Sequence, residues 1–198
     1  MEAMEMAVAD VVERTQRLTW EQFVQLPPSN TRQEIIDGEV YEMPAPTVRH
    51  QRTVGRLHHR IVTEIEARQK GYVILSPIDV VIQREPLRVR QPDLVFIRAE
   101  RVESLEALES APRIEFAPDL VVEVLSPADE LEALNSKLAD YHQLGVQEVW
   151  LVGLPLHQVL VLVRTEAGWQ SQSFVGDEPI RSTVIPDLTL TPNQVLKG

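Results

Sequence analysis

Apolar positions change their spacing several times along the chain, and each change marks an element. Thr19-Trp20-Glu21-Gln22 has the form of a capping box and predicts a short helix running to about Leu26, stopped by Pro27-Pro28-Ser29-Asn30. The run RQEIIDGEVYEM reads as two short strands around Asp37-Gly38, a dipeptide suited to a tight hairpin, and Pro44-Ala45-Pro46 ends it. From Thr47 to Lys70 the residues Val54, Leu57, Ile61 and Ile65 recur at three- and four-residue steps. That spacing predicts a long helix, with Gly71 placed as its C-cap.

After Gly71 the period shortens. YVIL, IDVVIQ and PDLVFI are β-branched runs that predict consecutive strands. Residues 99–116 are acidic with leucines at helical spacing and predict a surface helix and loop. PDLVVEVLS is the next strand, apolar on both faces except for Asp119 and Glu123. A helix follows from about Glu130 to Leu144, with Leu131, Leu134, Leu138 and Tyr141 on one face. EVWLV and HQVLVLV are strands, a turn at Trp169 leads to SFV, and a short helix follows Pro192. Pro-Asp-Leu recurs at 92, 118 and 186 without repeating flanks, so the chain is not a solenoid. This mixed order of helices and strands predicts an α/β (mixed α+β) fold: a flexible arm over residues 1–17, then a single domain over 18–198.

Composition narrows the function classes. With 43% hydrophobic residues in 198, the chain can bury a sizeable core, and no uncharged run is long enough to span a membrane. There are no cysteines, which excludes disulfide scaffolds, thiolate zinc sites and cysteine nucleophiles. The first residues carry acids where a secretory signal needs bases, so a cytoplasmic location is expected. The net charge of −11 argues against non-specific coating of nucleic acid. Residues 31–101 nevertheless hold 12 Arg/Lys against 10 Asp/Glu, either a local phosphate-facing surface or a set of ordinary salt bridges. Only Lys70, Lys137 and Lys197 are lysines, against 16 arginines.

Chemistry is most visible where carboxylates sit in apolar strands. Asp93 opens PDLVFI and Glu123 lies inside LVVEVL. Burying either as an ion requires a partner, which could be an arginine, a backbone donor or a metal ion. For Glu123 the plain alternative is a buried salt bridge, and for Asp93 a turn cap after proline. Asp119 is four residues before Glu123 and therefore on the same side of the strand, at its start. Two or three such carboxylates suit Mg²⁺ or Mn²⁺. Lys137 is either an exposed helix lysine paired with Asp140 or a third member of the site. Glu123 lies roughly 10 Å back from the end of its strand, and Lys137 roughly 12 Å along the helix that returns over it. The two should therefore reach the same level. His50, His58 and His59 lie on or near one helix, but no HExxH accompanies them, and phosphate loops and the GxSxG elbow are absent. Trp20, Trp150 and Trp169 read as packing residues.

A PD dipeptide opening a strand, then a glutamate in an apolar strand about thirty residues on, resembles the PD-(D/E)xK nuclease superfamily. The wider strings QEIIDGEVYEMPAPTVRH, PDLVFI, APDLVVEVLSPAD and KLADYHQLGVQEVWLV resemble one bacterial branch, the Uma-two-type restriction-endonuclease-like family, in order across most of residues 20–165. The resemblance implies a mixed sheet flanked by helices and a Mg²⁺- (or Mn²⁺-) dependent endonuclease acting on DNA. Asp93 and Glu123 would be the central metal ligands, Glu34 an N-terminal acidic site residue, and His50 a companion. The superfamily's usual lysine position is Leu125 here, and the family's displacement of that lysine onto the following helix matches Lys137. Gln33 stands where the family often has an aromatic, and Gly153-Leu154-Pro155 replaces an aspartate-proline. The other reading is a non-catalytic binding or assembly protein with a relict nuclease fold. Free sheet edges and the need for two sites to cut two strands make a homodimer the expected assembly.

Overall fold

The computed structural model describes residues 17–27, 31–126 and 131–197. The arm expected over residues 1–17 lies outside these except for Arg17, which pairs with Glu39 at 3.4 Å. Helix α1 (Trp20–Phe23) has the predicted capping box, with the Thr19 side chain accepting from the Gln22 amide. Strands β1 (Gln33–Ile36) and β2 (Glu39–Glu42) form the predicted hairpin. Asp37 and Gly38 both take positive φ at its tip, the geometry that matches strand twist in a two-residue turn. The long helix α2 (Val48–Glu64) is followed by a 3₁₀ turn over 66–68, and Gln69 rather than Gly71 takes the left-handed position that ends it. Gly71 opens β3 (Gly71–Leu75) for a different reason. A Cβ there would lie 2.4 Å from both the Phe96 ring and the Ile97 carbonyl oxygen.

Strands β4 (Val80–Arg84), β5 (Leu87–Arg90) and β6 (Leu94–Arg98) follow. The sequence patterning did not predict β5, because LRVR reads as a charged gap between two apolar runs. Helix α3 (Leu105–Ser110), β7 (Leu120–Leu125), α4 (Leu131–Leu144), β8 (Glu148–Gly153), β9 (Gln158–Thr165), β10 (Gly168–Val175) and α5 (Pro192–Leu196) complete the chain. Trp169 lies in β10 opposite Arg164 instead of in the turn. Its indole donates to the Leu138 carbonyl at 3.1 Å and meets His142 edge-on. No helix among the described residues is long and apolar enough to cross a membrane.

Two sheets result, a smaller one in the order β2-β1-β5-β4 and a larger one in the order β10-β9-β8-β7-β6-β3. The larger is mixed: β7 and β8 are parallel, and its other pairs are antiparallel. Strand parity sorts its side chains. Leu120, Val122 and Val124 pack on Leu57 and Ile61 of α2, whereas Val121, Val95 and Ile97 pack on the Tyr141 face of α4. The smaller sheet has an apolar face, Ile35, Leu87 and Val89, covered by Phe23 of α1. By the same parity Glu34, Arg88 and Arg90 point the other way, toward α4. Helix α4 therefore lies between an apolar sheet face and a charged one.

Leu131 does not join the predicted apolar stripe of α4. It is 73% exposed, while Leu134 and Leu138 are half-buried and Tyr141 is fully buried.

The close approach at Gly71 gives a direct test. Gly71→Ala should destabilise the protein by about 1–3 kcal/mol through overpacking against Phe96, measured as a lower urea midpoint with an unchanged slope.

Candidate active site

Helix α4 and the two sheets converge on one buried charge network. Glu34, on β1, is 3% exposed, and its Oε2 accepts from Arg90 at 2.8 Å. Its Oε1 lies 2.9 Å from the Lys137 ammonium in an ion pair without hydrogen-bond alignment. Lys137 also donates to Glu123 Oε1 at 3.2 Å, and the Tyr141 hydroxyl donates to the same oxygen at 2.5 Å. One turn further along α4, Asp140 accepts from Arg90 Nε at 2.7 Å and from Arg88 at 2.6 Å, and Ser136 accepts from Arg90 at 2.8 Å. The alternative of an exposed Lys137–Asp140 pair is thereby overturned. Asp140 is 2% exposed and belongs to the arginines of β5.

Asp93 arrives from the neighbouring strand. Antiparallel β6 and β7 pair Leu94 with Val122, so one residue further Asp93 comes alongside Glu123. Its Oδ2 accepts from the Val124 amide at 2.7 Å and contacts His50 Nε2 at 3.2 Å, and its Oδ1 pairs with Arg32 at 2.8 Å. Asp93 is therefore no turn cap, and Glu123 pairs with a lysine and a tyrosine instead of an arginine. Asp119 is not brought to the site. It sits four residues before Glu123, at the other end of β7, where it accepts from the Arg98 amide at 2.9 Å and pairs with Arg101 at 3.3 Å. His58 and His59 do not line the pocket either.

These environments shift the site's acidities. Burial raises the Glu123 pKa above the usual carboxylate value, with Asp93 and Glu34 adding to the effect against the opposing Lys137 charge. For Glu34, burial is outweighed by Lys137 and Arg90, and its pKa falls. For Asp93, burial is outweighed by His50 and Arg32, again lowering it. Burial works against protonation of Lys137, but Glu123 and Glu34 overcome it and hold the ammonium charged. Burial likewise opposes protonation of His50, and its contact with Asp93 more than compensates.

Asp93, Glu123 and Lys137 line a pocket of about 240 Å³, walled by Met43, Pro44 and Leu134. Carboxylate oxygens are the donors a hard cation takes. Every contact that the described residues make to Glu123 falls on Oε1, which leaves Oε2 available. No cluster of three His, Asp or Glu side chains among the described residues could hold a metal ion. The set therefore fits a cation held by one or two carboxylates that keeps its waters, as Mg²⁺ commonly is. It does not fit a closed protein cage.

A family model described as "Putative restriction endonuclease", Uma2, matches residues 20–193. The chain belongs to the Uma2 family. A crystal structure of "a putative nuclease belonging to DUF820" from Anabaena variabilis has a similar fold, with a TM-score of 0.77 at 19% identity. The match covers 91% of this chain and 98% of that one. No curated protein matches the sequence significantly. In this Uma2 chain, sequence patterning gives no place in the site to Arg32, Arg90, Asp140 or Tyr141. Two signals were present: Tyr141 is one turn beyond Lys137, and Arg88 and Arg90 alternate with apolar residues as a strand does.

Removing one partner of a buried ion network takes away part of what compensates the others. Asp140→Ala should destabilise the fold by about 1–3 kcal/mol, because Arg88 and Arg90 lose their shared acceptor but keep Asp37 and Glu34, read by urea denaturation against the wild-type chain.

Proposed function

We propose that this Uma2 protein is a metal-dependent nuclease of the PD-(D/E)xK type that hydrolyses phosphodiester bonds in DNA. The observation that carries the reading is the Lys137 ammonium lying 2.9 Å from Glu34 and 3.2 Å from Glu123, on the pocket wall that Asp93 shares. Asp93 and Glu123 would hold Mg²⁺ or Mn²⁺, with Glu34 joining through a water. Such a cation polarises the scissile phosphate and lowers the pKa of a bound water.

The protein's own groups do the rest. His50 and Arg32 fix the Asp93 carboxylate, and Tyr141 fixes Glu123. Arg90 holds Glu34, and Glu34 and Glu123 keep Lys137 protonated and aimed at the pocket. Its charge stabilises the phosphorane-like transition state, where negative charge increases. We further propose that two copies pair through free sheet edges to give a homodimer. Val40 and Tyr41 are exposed on edge strand β2. A monomer by light scattering at micromolar concentration removes that assembly.

Three outcomes test the function. Mn²⁺ or Mg²⁺ at a hundredfold excess over Kd should stabilise the native state by about 2.7 kcal/mol, a Tm rise of roughly 5–11 °C for a chain of this size. Glu123→Gln should remove most of that shift, and equal shifts in both proteins would place the metal elsewhere. Cleavage of supercoiled and single-stranded DNA should require the metal and vanish in Asp93→Ala, whereas a wild type that binds the metal without cutting would be a relict fold. Lys137→Met should lower turnover roughly 10²–10³-fold while metal affinity holds or rises, and full activity in that variant would remove Lys137 from the reaction.

A further inference from the structure

We propose that the substrate of this site is an unpaired DNA strand and that duplex DNA is excluded until a nucleotide leaves the helix. The inference rests on the nuclease reading above and adds the substrate's form.

Depth is the first observation. Asp93 and Glu123 are 3% and 4% exposed, and both line the pocket. A phosphodiester must enter that pocket to reach them. A stacked duplex carries its phosphates on a broad, stiff cylinder and cannot lower one into so small a space. A single strand bends freely, and a flipped nucleotide reaches such a pocket only after unstacking and unpairing.

Wall chemistry is the second observation. Met43, Pro44, Ala45 and Pro46 form one side of the pocket, and Ala133 and Leu134 line it from α4. Apolar side chains continue onto the surface beside it. Val48 follows the lining residue Thr47 and is 79% exposed, and Leu131, two residues before Ala133, is 73% exposed. Duplex DNA presents phosphates and sugars to such walls. An unpaired strand presents base faces, which are apolar and unselective for sequence.

Charge is the third observation. A duplex-tracking protein that makes about 6–10 phosphate contacts needs a matching row of free cations. Here Arg32, Arg60, Arg84, Arg88, Arg90, Arg98 and Arg101 are all held in ion pairs. Among the described residues Arg49, Arg52, Arg56, Arg68, Arg164, Arg181 and Lys197 make no ion pair. Of these, Arg49 and Arg52 are exposed and close in sequence to the pocket residues Thr47 and His50, whereas Arg56 is half-buried and donates to the Val195 carbonyl at 2.8 Å. Arg68, Arg164, Arg181 and Lys197 are distant from the pocket residues in sequence. Two exposed cations beside the pocket suit the phosphates flanking one strand on a chain of net charge −11. Cutting one strand at a time needs one site, so the inference holds for a monomer or a dimer.

The experiment is fluorescence anisotropy of the full chain with Ca²⁺ in place of Mg²⁺, on a labelled 20-nucleotide single strand and on its duplex. The single strand should bind at least tenfold tighter, with a log–log salt slope no steeper than about −2, as two or three phosphate contacts give. Ala133→Trp places a large ring at the pocket wall from an exposed helix position. It should weaken single-strand binding about tenfold and leave Tm unchanged. Equal or tighter duplex binding overturns the inference, as does an Ala133→Trp variant that binds the single strand normally. Binding to neither DNA, with no metal-induced Tm shift, overturns the nuclease reading and this inference with it.

Discussion

Burial of charge between two sheets is the constraint on which the rest of this structure depends. Arg90, Glu34 and Asp140 are each 2–3% exposed, so none can rely on water. Each must meet an opposite charge at hydrogen-bond distance, and the partners come from β1, β5 and α4. Such a network adds little net stability over an apolar replacement of the same volume. What it supplies is registry: α4 cannot slide or rotate against the smaller sheet without stranding an ion. Lys137 projects from the middle of that fixed helix, and its ammonium is therefore placed to within the tolerance of the surrounding ion pairs.

Strand parity then sets the remaining geometry. Glu123 points to the α4 face because Val122 and Val124 point to the α2 face. Asp93 comes beside it because β6 and β7 are antiparallel with Leu94 opposite Val122. His50 reaches Asp93 because α2 begins at that end of the sheet, where Thr47 caps the helix and lines the same pocket. Five carboxylates, Glu34, Asp37, Asp93, Glu123 and Asp140, face Arg32, Arg88, Arg90 and Lys137, with His50 against Asp93. Each buried carboxylate meets a cationic partner within the protein, which keeps so dense a set of ions folded before any substrate is present.

Much of this was legible in the sequence. The hairpin at Asp37-Gly38 follows from residues that tolerate positive φ, and α2 from its apolar spacing. Asp93 and Glu123 stood out because a carboxylate inside a β-branched run has to be explained by a partner. Strand β5 was hidden because its side chains face two environments at once: Leu87 and Val89 go to a core and Arg88 and Arg90 to buried acids. To a pattern based on hydrophobicity, LRVR looks solvent-exposed. Tyr141 was placed correctly on the apolar face of α4, but its hydroxyl partner is a tertiary contact that helical spacing cannot reveal. Arg32 pairs with Asp93 sixty-one residues away, and nothing local announces it. Asp119 shows a related limit of strand patterning. Sharing a side of the strand with Glu123 does not mean sharing a site, since four strand residues span about 13 Å.

The lysine that meets Glu123 comes from helix α4 and not from the strand that carries the glutamate. Leu125 is two residues beyond Glu123, so its side chain leaves β7 on the same face and lines the same pocket. A lysine there would extend from the strand past the glutamate. In this chain the face above that strand is covered by α4, and the ammonium that reaches Glu123 Oε1, at 3.2 Å, comes from that helix. The helical route brings a second acid within reach, because α4 also borders the smaller sheet and places Glu34 at 2.9 Å from the same ammonium. A strand-borne lysine would have had to find that partner across the pocket itself. Its place on the helix ties Lys137 to acids of both sheets, and Leu125 makes the pocket wall beside the carboxylates apolar.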